Sequence, residues 1–207
     1  PEPGRPKRTA HTAGIHLRIV GGRFRGRKLA YSGDPRTRPM KNRVREAAFN
    51  LIGPSVVGKH AIDLFAGTGA MGFEAICRGA VQATLIERHL PTLRVMQQNA
   101  KNLAIDPVTE FVSADALLWT QAELYPGTTP WLLFCCPPYE LYQTRTDQIL
   151  QMLEVLIQRA SAASVFLLEA DRQFDFGKLP FSEAWDVRTY RPSVLALLRL
   201  SAILGKD

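Results

Sequence analysis

Apolar positions follow two alternating patterns through the middle of the chain. Short apolar runs predict strands near 61–65, 83–87, 108–112, 131–135 and 164–170. Segments with apolar residues at helical spacing predict helices near 70–78, 91–103, 116–121 and 146–160. Strands that alternate with helices indicate an α/β fold with a mostly parallel sheet.

The last apolar stretch departs from this alternation. The runs 185–190 and 194–200 are separated by Arg191-Pro192-Ser193 alone. No helix fits into so short a connection, so the two runs are predicted to pair antiparallel. The result is a Rossmann-like, seven-stranded, mostly parallel sheet with a C-terminal antiparallel hairpin. This arrangement is typical of class I methyltransferases, whereas a dinucleotide-binding fold would need a second mononucleotide-binding half.

The residues that precede the α/β sheet form a different region. Residues 1–14 are rich in Pro, Gly, Thr and Arg and are predicted to be disordered. The segments 16–20 and 23–29 flank a Gly-Gly pair and predict a small hairpin. We therefore divide the chain into a basic tail (1–14), an N-terminal hairpin and helix (15–52) and an α/β domain (53–207).

The helix of the N-terminal region is predicted from Lys41 to Leu51. Its core face is predicted to carry Val44, Ala47, Ala48 and Leu51. This spacing turns Arg43 and Arg45 away from the apolar stripe.

Positive charge is concentrated in this N-terminal region. Residues 1–46 hold 13 Lys or Arg against three acids, whereas the whole chain has a net charge of +7. Such asymmetry indicates a polyanionic partner, although a basic tail that is simply solvated remains an alternative. The candidate phosphate contacts are Arg23, Arg25, Arg27, Lys28, Arg38, Arg43 and Arg45.

Cysteine spacing and hydropathy exclude several classes of protein. The three cysteines, Cys77, Cys135 and Cys136, form no C-x-x-C pair, so neither zinc nor a disulfide framework is supported and no metal is expected. No apolar run is long enough to span a membrane. We expect a cytoplasmic protein, with a monomer as the favoured oligomeric state.

A glycine-rich loop follows the first predicted strand. The sequence from Asp63 to Gly72 reads D-L-F-A-G-T-G-A-M-G. Glycines let a ligand approach the backbone, and the helix that follows presents free N–H groups. The loop therefore predicts a small-molecule site, although a plain strand-to-helix turn stays open.

Acidic residues at the strand ends indicate which ligand this site takes. The loop matches G-x-G-x-x-G, but Asp63 would repel a pyrophosphate, so a dinucleotide is the weaker interpretation. S-adenosylmethionine carries an ammonium and a sulfonium that Asp63 would attract. Glu87 could accept hydrogen bonds from its ribose hydroxyls, and Asp115 could accept one from its adenine amine. The candidate cofactor-binding residues are Asp63, Phe65, Gly67, Gly69, Glu87, Asp115 and Ala116.

The candidate reacting site follows the fourth strand, at Cys136-Pro137-Pro138-Tyr139. Prolines have no N–H to donate, so this loop offers carbonyl acceptors, and Tyr139 can stack on a flat base. Acceptors that hold the hydrogens of an aromatic amine would aim its lone pair at a methyl donor. The candidate catalytic residues are Cys136, Pro137 and Tyr139, with a packed turn as the structural alternative.

Taken together, these motifs resemble the RsmD-type bacterial 16S ribosomal RNA guanine-N2 methyltransferases. The resemblance is carried by G-G-R-F-R-G-R-K-L at 21–29, T-R-P at 37–39, R-V-R-E-A-A-F-N at 43–50, the glycine loop and P-P-Y at 137–139. It implies methyl transfer from S-adenosylmethionine to the N2 amine of a guanine in 16S rRNA, within a preassembled small subunit. DNA adenine methylation is the less fitting alternative, because DNA adenine methyltransferases lack the basic motifs.

One departure from the family pattern concerns the reacting site. The family has Asp or Asn before Pro-Pro-Tyr, whereas this chain has Cys136, and thiol sulfur is a weak acceptor. A protein that binds RNA and S-adenosylmethionine with weakened catalysis is therefore an open alternative. A cysteine nucleophile of the pyrimidine C5 type is another, although no neighbouring base supports it. Met40 and Asn42 also differ from the Thr and Asp that the family tends to show.

Overall fold

The alternation of strands and helices predicted above is confirmed. The computed structural model describes residues 17–31, 33–34, 37, 39–121 and 128–204, so the predicted tail lies outside the described residues. The described strands are β1 (His60–Asp63), β2 (Gln82–Ile86), β3 (Thr109–Val112), β4 (Trp131–Cys135), β5 (Val165–Ala170), β6 (Asp186–Tyr190) and β7 (Ser193–Arg199). The described α-helices are α1 (Asn42–Ile52), α2 (Ala70–Cys77), α3 (Leu90–Leu103), α4 (Ala116–Trp119), α5 (Tyr139–Thr144), α6 (Thr146–Arg159) and α7 (Ser201–Leu204).

The strands form one sheet in the order β3-β2-β1-β4-β5-β7-β6. Strands β1 to β5 pair parallel, while β7 pairs antiparallel with both β5 and β6. The predicted C-terminal hairpin is therefore confirmed. Strand order reverses between β1 and β4, and in open α/β sheets ligands bind outside the carboxyl ends of the strands at such a point.

Two apolar cores cover the two faces of the sheet. On one face, Leu17, Ile19 and Phe49 from the N-terminal region belong to the same buried cluster as Leu85 and Leu167 of the sheet. The other face is packed mainly by α4, α6 and the segment that leads into β6. The described part of the N-terminal region is thus a layer of the fold, packed directly on the sheet. No helix among the described residues combines the length and apolar character needed to cross a bilayer.

The predicted N-terminal hairpin was wrong in its detail. Arg18 and Lys28 form a single antiparallel bridge, and the two segments are joined by a 3₁₀ turn at Gly22–Phe24. The Ile19 N–H donates to the Arg27 carbonyl at 2.9 Å, which closes the loop. Gly22 has a φ of +67° and lies against the Cys77 carbonyl, where a side chain would collide. Arg23 and Phe24 therefore lie in the turn and form no strand.

The predicted orientation of Arg45 was also wrong. The buried stripe of α1 includes Arg45, Ala48, Phe49 and Ile52, which are one helical turn apart, and Arg45 is fully buried. Its guanidinium faces the buried carboxylate of Glu74 and also donates to three oxygen atoms of the N-terminal region, those of the Arg18 and Met40 carbonyls and the Asn42 side chain. Because these partners compensate its charge, Arg45 occupies a core position and is not available to RNA phosphates.

Candidate active site

A cleft opens at the carboxyl ends of β1, β2 and β4. Its volume is about 660 Å³, and its walls are the glycine loop, the residues after β2, the start of α4 and the loop after β4. All the predicted cofactor-binding and catalytic residues except Gly69 line it. The parallel sheet thus brings together segments that are far apart in the sequence.

The glycine loop has a backbone that side chains disfavour. Gly67 and Gly69 have φ values of +50° and +74°. A Cβ at Gly69 would lie 2.8 Å from the Phe73 ring and 3.0 Å from the Met96 sulfur. Gly69 therefore packs against the Phe73 ring and the Met96 sulfur, on the side of the loop away from the cleft. Gly67 faces the cleft, where a Cβ would meet Thr37 at 3.1 Å.

Asp63, the last residue of β1, lies at the base of the cleft with only 2% of its surface exposed. Burial raises the pKa of this carboxyl to about 7, and the nearby charge of Glu87 raises it further. Backbone amides of Phe65 and Gly72 oppose that shift. A cationic group in the cleft would stabilise the ionised carboxylate, so the site is suited to a positively charged ligand.

Glu87 joins the glycine loop to the end of β2. Its carboxylate accepts a hydrogen bond from the Gly67 N–H at 3.0 Å and another from the His89 N–H at 2.7 Å. Each carboxylate oxygen can accept a further hydrogen bond. Glu87 can therefore hold the loop and bind ligand hydroxyls at the same time.

Asp115 is the third acidic residue that lines the cleft, after Asp63 and Glu87. It caps α4 by accepting a hydrogen bond from the Leu117 N–H at 2.9 Å. Its other oxygen lies 3.4 Å from Arg145 and 3.9 Å from Arg88. Both pairs are partly exposed, so they contribute little stability and leave the carboxylate able to accept from a ligand amine.

The loop after β4 forms the opposite wall. Tyr139 opens α5, and its hydroxyl donates to Glu169 at 2.7 Å and lies 3.0 Å from the Ser193 hydroxyl. Burial raises the pKa of the Cys136 thiol well above its usual value, and the charge of Glu169 adds to the effect. A neutral thiol is a poor nucleophile, which argues against the cysteine-nucleophile alternative.

Sequence reasoning missed two parts of this cleft. Asp34 and Met40 line it from the N-terminal region, and Asp34 lies 3.1 Å from the His89 ring. Glu169 and Ser193 line it from β5 and β7. These four positions show no periodicity, and only the fold reveals that they line one cleft. Among the described residues, no cluster of His, Cys, Asp and Glu is suited to a metal ion.

The predicted basic residues fall into separate groups. Arg23, Arg25 and Lys28 are exposed, and Arg27 donates to the Asn102 carbonyl near the end of α3 at 2.9 Å. This group, the basic loop, lies at the C-terminal ends of α2 and α3, about 12 Å along α2 from the cleft. Exposed Arg43 instead donates to the Arg191 carbonyl at the cleft rim. Arg38 lies outside the described residues.

Comparison with known proteins identifies the family. A family profile described as "Conserved hypothetical protein 95" matches residues 17–186. The chain belongs to this family. A curated relative from Escherichia coli K12, "Ribosomal RNA small subunit methyltransferase D", is 38% identical over 135 residues, which cover 64% of this chain and 65% of the relative. The resemblance to the RsmD-type methyltransferases is thereby confirmed, although the match spans just under two thirds of that relative.

Solved structures agree with this assignment. The E. coli protein yhhF superposes with a TM-score of 0.73 at 26% identity, covering 88% of this chain and 97% of that one. An RNA methyltransferase from Salinibacter ruber, solved in complex with S-adenosyl-L-homocysteine, gives a TM-score of 0.58 at 16% identity, with coverage of 82% and 98%. At this low identity, the similarity to the Salinibacter ruber protein shows a shared fold and nothing about function. The predicted class I methyltransferase fold is confirmed.

Proposed function

We propose that this chain transfers a methyl group from S-adenosylmethionine to the exocyclic N2 amine of a guanine in small-subunit ribosomal RNA. The observation that carries the proposal is a single cleft in which Asp63, Glu87 and Asp115 face the loop from Pro137 to Tyr139. The name of the E. coli relative supports ribosomal RNA as the substrate class.

The acidic wall of the cleft fits the methyl donor. When bound, S-adenosylmethionine supplies an electrophilic methyl group on a sulfonium. Asp63 would bind its positively charged end, Glu87 its ribose hydroxyls and Asp115 its adenine amine. Gly67 lets the backbone approach it, while Phe65 and Ala116 line the cleft beside it. Three carboxylates would repel the pyrophosphate of a dinucleotide, which disfavours that alternative.

The opposite wall fits a planar base. The Tyr139 ring offers a stacking surface, and its hydroxyl is held by Glu169 and Ser193. Pro137 and its neighbour Pro138 donate no hydrogen bonds, so this loop recognises hydrogens of the ligand. A guanine that is unpaired or flipped from its helix would present its amine here.

The positive surface would hold the RNA backbone. Arg23, Arg25, Arg27 and Lys28 form the basic loop away from the cleft, and Arg43 lies at its rim. Lysine and arginine contacts to phosphates supply the salt-dependent part of RNA binding. A preassembled small subunit in the cytoplasm, with the protein acting as a monomer and without a metal, is the partner arrangement we propose.

A methyl-labelling experiment tests this function. The protein is mixed with labelled S-adenosylmethionine and with small ribosomal subunits from cells that lack their own N2 modification. We expect label in one guanine, and none in large subunits or duplex DNA. Binding of the donor without incorporation, even at high protein concentration, would support the weakened-catalysis alternative. Failure to bind the donor at all would overturn the proposal.

A further inference from the structure

The proposed methyl transfer needs a hydrogen-bond acceptor beside the target amine, and the side chains of the candidate catalytic residues do not supply a strong one. A guanine amine must give up one hydrogen, and a carboxylate or amide oxygen beside it is the usual acceptor. At the expected position this chain has Cys136, whose neutral thiol accepts hydrogen bonds weakly. A carboxylate placed elsewhere in the cleft could meet the requirement.

Glu169 lies beside this position in the sheet. Cys135 pairs with Leu168 across the parallel strands β4 and β5, so the next residues on the two strands, Cys136 and Glu169, are neighbours. Glu169 also lines the cleft, with 8% of its surface exposed. Its position in the sheet therefore directs a carboxylate to the reacting end of the cleft.

The bonding of Glu169 is incomplete. Its Oε1 accepts the Tyr139 hydroxyl at 2.7 Å. Within the described parts of the chain, neither a second donor nor a Lys or Arg side chain pairs with this carboxylate. Burying a carboxylate without a counter-charge is costly, so a ligand that donates a hydrogen bond to the second oxygen would stabilise this side chain.

Tyr139 determines which part of the carboxylate remains available. Its hydroxyl is held between Glu169 Oε1 and the Ser193 hydroxyl. The same residue thus offers its ring to the base and fixes one carboxylate oxygen, leaving Oε2 for a ligand. A base stacked on the ring would bring its exocyclic amine towards that oxygen.

We propose that Glu169 accepts the hydrogen of the target amine in this chain, in place of the Asp or Asn expected at position 136. The inference rests on the proposed function. In the transfer, the nitrogen lone pair forms the new N–C bond, and the C–S bond of the sulfonium breaks with its electrons left on sulfur. The surplus proton on nitrogen passes to the Glu169 carboxylate and then to water.

Moving the carboxylate between the two positions tests the proposal. We expect Glu169→Leu to lower kcat roughly 10- to 150-fold, because a hydrogen bond to a charged acceptor is removed and leucine offers no acceptor in its place. Affinity for S-adenosylhomocysteine should stay unchanged, which also shows that the variant is folded. The double variant Glu169→Leu with Cys136→Asp should recover much of the lost rate. Glu154→Leu, on the exposed face of α6, is the matched control.

A binding measurement on the unmodified protein provides an independent readout. RNA with inosine at the labelled position lacks the 2-amine, so the wild type should bind it more weakly than the guanine RNA, and Glu169→Leu, which has no acceptor, should lose that preference. An active wild type with equal affinity for both RNAs, or with an undiminished kcat in Glu169→Leu, would overturn the role of Glu169 and leave the proposed function standing. An inactive wild type would instead contradict the proposed function itself.

Discussion

The Nε atom of Arg45 lies 3.6 Å from the Glu74 carboxylate, and neither side chain is exposed to solvent. Glu74 also accepts hydrogen bonds from the Val20 N–H and from Arg78, both at 2.9 Å. The pair therefore joins the N-terminal region to α2, the helix that begins at the glycine loop.

Removing one member of this pair should destabilise the protein strongly. We expect Arg45→Met to lower the free energy of unfolding by about 3–5 kcal/mol, because it leaves Glu74 buried with a weaker counter-charge. Urea unfolding measures the change. Arg25→Met, an exposed substitution in the same region, should change stability by less than about 0.5 kcal/mol. Equal effects of the two substitutions would contradict a buried Arg45.

Asp63 should make the affinity for the methyl donor depend on pH. Its pKa of about 7 means that the free protein holds a neutral acid below that pH, whereas a cationic ligand requires the carboxylate. Affinity for S-adenosylmethionine should rise about tenfold per unit as pH approaches 7, and then level off. Calorimetry in two buffers of different ionisation enthalpy should show release of a proton at about pH 6. A flat profile would be inconsistent with this role.

The same raised pKa has the opposite consequence for stability without ligand. Native Asp63 keeps its proton between its unfolded pKa of about 3.9 and its folded pKa of about 7, so the native state binds more protons there. This contribution to stability is present at low pH and is lost as pH rises through the folded pKa. Asp63→Asn should therefore be more stable than the wild type at pH 8, although it binds the donor poorly. The exposed control Asp147→Asn should show neither effect.

Two glycines with positive φ should respond differently to alanine. Gly69 has a φ of +74° and Cβ contacts within 3.0 Å, whereas Gly26 has a φ of +87° and open space around it. Gly26→Ala should cost only the backbone strain, about 1–2 kcal/mol. Gly69→Ala should cost more and weaken donor binding, because the Phe73 ring must move. Unfolding curves and donor titrations compare the two variants directly.

The basic loop should control how RNA affinity depends on salt. Replacing Arg25 and Lys28 by Gln should weaken RNA binding and reduce the slope of log K against log salt by about 0.7–0.9 for each phosphate that is no longer neutralised. Donor affinity should not change, because the loop is remote from the cleft. Arg188→Gln is a matched control, since Arg188 is exposed but pairs with Asp186 at 3.0 Å. An unchanged slope in the Arg25 and Lys28 variant would rule out phosphate binding by this loop.

Cys136 should be dispensable as a nucleophile. Burial raises the pKa of its thiol, so little thiolate exists near neutral pH. Cys136→Ala should therefore retain most of the methyl transfer. The wild type should form no covalent adduct with RNA that contains 5-fluoropyrimidines. An adduct that disappears in Cys136→Ala would favour the pyrimidine C5 mechanism instead.

The sheet could be predicted because its strands have distinct patterns. Parallel strands are buried on both faces, so β4 and the first four residues of β5 appear as continuous apolar runs. The short connection at Arg191–Ser193 permits only an antiparallel turn. The acids at the ends of β1 and β2 were predictable too, because parallel strands bring their carboxyl ends to one edge.

The missed residues depend on contacts that a sequence pattern does not contain. A charge within an apolar stripe, as at Arg45, is expected to face solvent unless a buried partner such as Glu74 is known. Glu169 meets Tyr139 because β5 lies beside β4, and Ser193 joins them because β7 lies beside β5. The loop after β4 was singled out by its own prolines and tyrosine, but neither these residues nor the resemblance to a family indicated which side chain could take over from the residue replaced by Cys136.

The position of β7 has a consequence for the order in which the cleft is assembled. This strand comes late in the chain, yet it lies inside the sheet between β5 and β6. Ser193, which lies 3.0 Å from the Tyr139 hydroxyl, is its first residue. The wall of the cleft that carries Tyr139 is therefore complete only after β7 has been synthesised and has entered the sheet. Until then the Tyr139 hydroxyl lacks one of its two described side-chain partners.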